Sequence, residues 1–480
     1  MVEKIPPYVV DIMSRLEQAG FEAYAVGGCV RDLCRGLDPS DWDITTNARP
    51  EKMLDILPEA KNENRFGTVL VPIRNEDGQA YDVVEVTTYR SEQGYSDHRR
   101  PDEIKFEDKL EADLSRRDFT INALALPLKG EMVDLFGGQK DLSKKIIRAI
   151  GEPEDRFKED ALRMLRAVRF FCQADFVIEP KTERGIIKLA GSLKFVAKER
   201  VRDELIGLLS SERPAEGLRK LYELNLLQYI IPELQEGVGM AQNHHHRLNV
   251  FDHNLSALKY CPSLEWQVRL AALFHDIGKP RTKKIINNSA TFYNHEMVGA
   301  KMVAKIMKRL RFSTKDSERV VNLVRHHMFY YNVGEVTAAS VRRLIRKVGE
   351  ENLSDLIDLR VADRLGSGVP KAMPYKLRHL RYMMDKVRHD PTSVKMLKIN
   401  GEGVMEILKT EPGPKIGAIL DVLLAEVIEN PELNTEDYLS RRCLELNQYD
   451  LAELRQRAKE VIEEKREEED REIKKEHRVA

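Results

Sequence analysis

The sequence predicts an α+β protein: a head with a mixed sheet and helices over residues 1–150, followed by an all-helical remainder. Three observations predict it. Stretches rich in β-branched residues fall early, at FEAYAVGG, DWDITT, GTVLVPI and YDVVEVTTYR (21–28, 41–46, 67–73 and 81–90). From Asp155 onward apolar residues recur at helical spacing, as Leu162, Leu165, Val168 and Phe171 do. The length of 480 residues suits about three domains with a core each.

In order along the chain, a helix is expected from Tyr8 to Ala19, then the strands of the head. The expected divisions are a head (1–150), a helical neck (151–235), a helical domain rich in His and Asp (236–370), a C-terminal helical body (371–455) and a charged tail (456–480). The tail reads as a solvated or frayed helix.

Lys and Arg number 78 against 79 Asp and Glu, so overall charge does not identify a partner and any basic surface must be local. The five cysteines (Cys29, Cys34, Cys172, Cys261, Cys443) lack CxxC spacing, which argues against a disulfide framework or a zinc ribbon. The N-terminus has no basic segment leading into an apolar run, and no apolar stretch approaches the roughly 20 residues that span a bilayer. A cytoplasmic location without a membrane partner is expected.

The first chemical constellation is YAVGGCVRD (24–32) followed by DWDITT. Residues i and i+2 of a strand share a face, so Asp41 and Asp43 are expected to point into one site. Such a carboxylate pair suits Mg²⁺, and two ions there can activate a hydroxyl and stabilise a leaving pyrophosphate. Gly27 and Gly28 let backbone N–H groups approach a triphosphate, with Arg31 adding charge. GGxVRD and DxD some ten residues apart resemble the polymerase-β nucleotidyltransferase superfamily, in its class II tRNA nucleotidyltransferase and bacterial poly(A) polymerase branch.

That resemblance implies a polymerase-β-like head and gives roles to later segments. RRDFTINALA (116–125) looks like the element that contacts ribose and triphosphate, with Arg117 and Asp118 toward the nucleotide and Asn122 in support. Glu85 is either a third acid near the metals or a member of a cross-strand ion pair. DLFGGQKDLSKKIIRAIG (134–151) resembles the connection between head and neck. Glu159-Asp160-x-x-Arg163 matches the nucleotide-selecting element, with Arg166 in the same binding set.

Asp160 and Arg163 are expected at i and i+3 on one helix, hence neighbours on one face. A carboxylate accepts and a guanidinium donates. Cytosine and adenine both offer an amino donor beside an acceptor, which fits this pair. Uracil and guanine present the reverse, leaving polar groups unpaired at roughly 1–3 kcal/mol each. Glu159 is expected to orient Arg163. The resemblance thus implies addition of C, C and A to the 3′ end of tRNA from CTP and ATP. NRFGTVLV (64–71) and the retained loop SEQGYSDHRRPDEIKF (91–106) favour the CCA-adding form. A poly(A) polymerase, or A addition shared with a partner enzyme, stays open. Residues 412–417 either contact tRNA phosphate or cap two helices.

The second constellation is His253, His275-Asp276 in LFHDIGK, His295, His326-His327 and Asp363. It resembles the HD phosphohydrolase superfamily. His253, His275, Asp276 and Asp363 match the set for one metal, while His295 and His326, or His327 in its place, match members with two. Imidazole with carboxylate suits Mn, Fe, Ni, Co or Zn. The implied activity is that of a 2′,3′-cyclic phosphodiesterase or phosphatase. His244–His246 read as a solvated loop. An alternative of another class is a nucleotide-sensing regulator whose head only binds ligand.

Overall fold

The computed structural model describes residues 2–458, apart from 64–65, 76, 94–102, 174–175, 243–247, 287–288, 330–331, 333–335, 370–371 and 388–389. Most of the loop that follows Arg90, the histidines 244–246 and the tail from 459 lie outside the described residues.

The head sheet has seven strands, in spatial order Lys61–Asn62, Thr68–Arg74, Ala80–Thr88, Asp43–Thr46, Ala23–Val26, Leu124–Leu126 and Val133–Asp134. It is mixed: Asp43–Thr46 runs parallel to Ala80–Thr88 and antiparallel to Ala23–Val26. The β-branched segments form the central strands because alternate residues can be buried on a pleated surface. Helices Pro7–Gln18 and Pro50–Ile56 share one apolar cluster with the sheet, Val9, Ile12, Leu16 and Met53 joining Ile44, Val69, Val84 and Val86. The strand expected over 41–46 begins at Asp43, so Asp41 stands just before the ladder.

Beyond the head the chain is helical, from Pro153–Glu159 onward, with only short strand pairs. One apolar cluster runs from Phe119 to Ala362, across the divisions expected at 150 and 235. A second joins Val341, Ile357 and Leu380 across position 370, and a third, from Leu397 to Leu454, forms the C-terminal body. No helix of the described residues is long and apolar enough to cross a membrane.

The seam between head and neck positions the site. Phe119 of the head meets Phe170 of helix Leu162–Gln173 edge to face, ring centroids 5.8 Å apart. Ile146–Ile147 pairs in parallel with Val177–Ile178. Buried between them, Asp118 accepts from Arg166 Nε at 2.7 Å and from Asn122 Nδ2 at 2.9 Å. Asn122 Oδ1 in turn accepts from Arg31 Nη1 at 2.9 Å. Burial raises the Asp118 carboxyl pKa, but Arg166, the Asn122 hydrogen bond and Arg163 outweigh it and pull the value down to about 2.

Two predictions follow from this packing. A depressed carboxyl stabilises the fold above its unfolded pKa, and that contribution disappears as pH falls through the folded one. The Asp118 pair should therefore contribute about 2 kcal/mol at neutral pH, lost between roughly pH 4 and 2. Denaturation midpoints of the parent and Asp118→Asn proteins should converge across that window; parallel curves would remove Asp118 as the cause. Phe157 is fully buried in the long cluster. Phe157→Ala should cost about 3–5 kcal/mol in urea denaturation.

Candidate functional site

A cavity of about 410 Å³ opens at the seam, lined from the head by Gly27, Gly28, Arg31, Asp43 and 116–118, and from the neck by Asp160, Arg163 and Arg166. Gly27 has φ +80°, a conformation that disfavours a side chain. A Cβ there would lie 3.0 Å from Arg117 Nη1 and 3.3 Å from Asp43 Oδ2. The glycine lets strand and helix Gly28–Cys34 meet while both charged groups stay close.

Asp43 and Glu85 are directly opposite in the parallel register, so they share a face. Burial raises the Asp43 pKa, Arg117 opposes this, and Asp41 raises it further, with a net rise. Burial raises Glu85 as well, aided by Asp43, Glu63 and Asp41. Asp41 is exposed, accepts from Ser40 Oγ at 3.1 Å and is not among the cavity-lining residues, yet its charge reaches both acids. This is an acidic group rather than a cross-strand ion pair. These carboxylates are hard oxygen donors of the kind Mg²⁺ takes, although the three do not close into one ligand set in this structure.

The expected single helix through 159–163 is broken. Helix Pro153–Glu159 stops at Asp160, whose ψ of 103° is extended, and the next begins at Leu162. Asp160 Oδ1 accepts from Leu162 N at 3.0 Å, a side-chain bond that competes with continued helix. Asp160 and Arg163 still line the same cavity. Arg163 is held by Glu159 Oε2 at 2.7 Å, Arg156 O at 3.3 Å and Arg116 O at 2.8 Å.

Arg200 donates to both oxygens of Asp160, at 3.2 and 2.7 Å. The sequence reading missed it, because KERVRDE looks like any charged helix face. It also missed Arg116, Arg169 and Phe170 on the cavity wall. The guanidiniums of Arg31, Arg166 and Arg169 stand 5.0, 5.5 and 4.9 Å from the Phe170 ring centroid. The spacing of those arginines was visible; the shared ring was not, since Arg31 comes from the head.

The second centre lies among the helices. His253 and His275 bring Nε2 atoms to 3.0 Å of each other, 3.2 and 3.3 Å from Asp276 Oδ2 and 3.3 and 3.5 Å from Asp363 Oδ1. His295 Nε2 lies 3.2 Å from Asp276 Oδ1 and 3.2 Å from His327 Nε2. Asp276 thus serves two ligand triads, His253–His275–Asp276 and Asp276–His295–His327. His326 does not join them. It ends helix Thr314–His326 half-exposed, while His327, turned about 100° onward, is buried. The HD pair likewise follows a helix end, since helix Trp266–Phe274 stops one residue before His275.

The donor chemistry fits metal ions. Nδ1 of His275, His295 and His327 lies 2.8, 2.8 and 2.7 Å from the carbonyls of Ala272, Phe292 and Val324. A carbonyl only accepts, so Nδ1 carries a proton and Nε2 is the atom that each ring turns to the centre. Burial lowers the His275 pKa, but Asp276 and Asp363 outweigh it and raise it to about 10, so a metal bound there would displace a proton from Nε2. Burial raises the Asp276 pKa, but Lys279 and His275 outweigh it and hold the carboxyl well below its ordinary value. Burial, together with His295 and His275, pushes His327 well below the usual imidazole range.

The comparisons with known proteins agree with this layout. The chain matches the "Poly A polymerase head domain" over residues 23–148, the "Probable RNA and SrmB- binding site of polymerase A" over 175–237, and the "HD domain" over 250–367. It is 35% identical over 418 residues to the A-adding tRNA nucleotidyltransferase of Deinococcus radiodurans, covering 84% of this chain and 90% of that one. With the CCA-adding enzyme of Ligilactobacillus salivarius it shares 32% identity over 452 residues, 93% of this chain and 98% of the relative. The structure of the Bacillus stearothermophilus CCA-adding enzyme with CTP superposes with a TM-score of 0.68 at 26% identity, covering 92% of this chain and 98% of that one. The chain belongs to the tRNA nucleotidyltransferase family and is a nucleotidyltransferase with a head, a neck and an HD domain.

Proposed function

We propose that this enzyme adds C, C and A to the 3′ end of tRNA from CTP and ATP. The observation that carries the reading is the meeting of Asp160 and Arg163 with Gly27, Arg117 and Asp43 in one cavity. Backbone N–H groups at Gly27 and Gly28, with Arg31 and Arg117, hold the triphosphate. Asp41 and Asp43, with Glu85 beside them, hold Mg²⁺, which supplies activation of the 3′-hydroxyl and charge neutralisation at the leaving pyrophosphate. Asp160 accepts from the amino group of cytosine or adenine, and Arg163 donates to the adjacent ring nitrogen. Both side chains are fixed by Arg200 and Glu159, so a base of reversed polarity meets groups that cannot turn to suit it.

The likeness to an A-adding relative favours a second reading, in which this chain adds only the terminal A to ends already bearing CC. The HD centre, with two triads around one carboxylate, supports a further role as a Mn²⁺-, Ni²⁺-, Fe²⁺- or Co²⁺-dependent phosphohydrolase. Water breaking the P–O3′ bond of a 2′,3′-cyclic phosphate at a tRNA end would give O3′ its proton and leave the phosphate on O2′, to be removed as inorganic phosphate by a second hydrolysis, which would free the hydroxyl that the head uses as nucleophile.

The deciding experiment supplies tRNA lacking its last three residues with each labelled NTP, alone and together. Addition of two C and one A followed by arrest is expected. A added only to CC-bearing ends would establish the second reading, and long A tracts would make the chain a poly(A) polymerase. Asp43→Ala should lower addition by at least ~10³-fold. Asp160→Ala should relax discrimination against UTP and GTP by about 10²-fold while leaving triphosphate affinity nearly unchanged. On cyclic-phosphate ends with Mn²⁺ or Ni²⁺, the parent protein should release the cyclic ester and His275→Ala should not; survival of those ends in both would end the phosphohydrolase reading.

A further inference from the structure

We propose that helix Tyr375–Lys386 carries an RNA-binding stripe, in which Tyr375 and Tyr382 stack on unpaired loop nucleotides of the substrate while Arg378 and Lys386 meet its phosphates. The proposal deepens the reading of this chain as a tRNA-end enzyme and rests on it for the identity of the RNA.

The helix follows the HD segment and reads YKLRHLRYMMDK. Leu377, Leu380 and Met384 bury one face of it in the cluster that holds Val341, Ile345, Ile357 and Val361. The helical repeat puts Tyr375, Arg378, His379, Tyr382 and Lys386 together on the opposite face, over about 16 Å. Tyr375 is 64% exposed and Tyr382 59%, so neither ring serves the core. The His379 ring lies between them, its centroid 6.3 Å from each, at interplanar angles of 45° and 50°. Arg378 Nη1 donates to Met373 O at 2.9 Å. Among the described residues neither Arg378 nor Lys386 enters an ion pair, whereas exposed cations elsewhere do, as Arg281 with Glu236 and Arg309 with Glu233. Asp385 is the only acid in the helix.

The chemistry of this face selects its occupant. The five side chains include no aliphatic group, which disfavours a protein groove or a lipid surface. Aromatic rings stack on any nucleobase, and cations set along the same line follow the phosphates. Bases within a duplex are covered on both faces by their neighbours, so the rings need nucleotides of a loop. None of the five residues lines the cavity with Asp43 and Asp160, so the stripe grips the RNA away from the 3′ end being extended. It supplies affinity for a looped RNA without reading its sequence, and leaves the choice of incoming base to the cavity.

Fluorescence anisotropy of the full chain, without nucleotide, tests this on two RNAs: a tRNA lacking its last three residues and a loopless duplex of its acceptor stem. Tyr375→Ala combined with Tyr382→Ala should weaken tRNA binding about tenfold or more and leave duplex binding within about twofold. Tyr375→Phe with Tyr382→Phe should keep the parent's affinity, because stacking needs the ring and not the hydroxyl. Arg378→Gln with Lys386→Gln should lower the slope of log affinity against log salt by about 1.4, the share of two phosphate contacts. Undiminished tRNA binding by the alanine pair would give the face to a protein or a membrane and overturn the proposal. An equal loss on the duplex would overturn it too, since stacking on loop bases would then have no part. Addition assays run beside the binding separate the two readings. A parent that binds tRNA through these rings but extends nothing sinks the proposed function alone; extension by the alanine pair at the parent's KM for tRNA sinks the stripe alone.

Discussion

Asp118 is a buried carboxylate placed where the head sheet meets the neck helices, and the cavity between them depends on it. An ion there is tolerable only when its hydrogen-bonding capacity is filled. Arg166 comes from the neck; Asn122 comes from the head and carries the link to Arg31. Filling that capacity therefore sets the distance between Gly27–Arg31 of the head and Asp160–Arg163 of the neck. The edge-to-face contact of Phe119 with Phe170 seals the same seam with apolar area.

The seam also supports Asp160 and Arg163 from outside their own helix turn. Arg163 is tied by Glu159 and two carbonyls, and Asp160 is gripped by Arg200. On the proposed reading, a pair that distinguishes bases by polarity must not rotate, since a swinging carboxylate or guanidinium would accommodate the wrong edge. Breaking the helix at Asp160 belongs to the same logic: the extended backbone leaves the carboxylate to cap Leu162 and to face the cavity, instead of lying along a helix flank.

Asp276 has the corresponding place in the HD centre, where one carboxylate divides its two oxygens between two sets of imidazoles. The neck and the HD centre share one continuous apolar core from Phe119 to Ala362, which the head enters through Phe119, Ile121 and Ile147 while its sheet keeps a core of its own. The two centres differ in donor type: carboxylates alone form the acidic group of the head, while imidazoles dominate the other.

The sequence by itself determined the α/β head with its helical sequel, because strand and helix periodicities follow from which residues are apolar. It also determined the residue types of both centres, as GGxVRD, DxD, EDxxR and the HD series are local patterns. Tertiary structure decided the rest. Asp41 lies outside the strand, Glu85 becomes Asp43's neighbour through a parallel pairing 42 positions away in the chain, and His327 rather than His326 turns inward at a helix end. Arg200 and Phe170 entered the site only through packing between helices and across the seam. Local pattern states which groups are available; which face a helix end presents, and which distant group fills a buried ion's last hydrogen bond, depend on contacts that no local window contains.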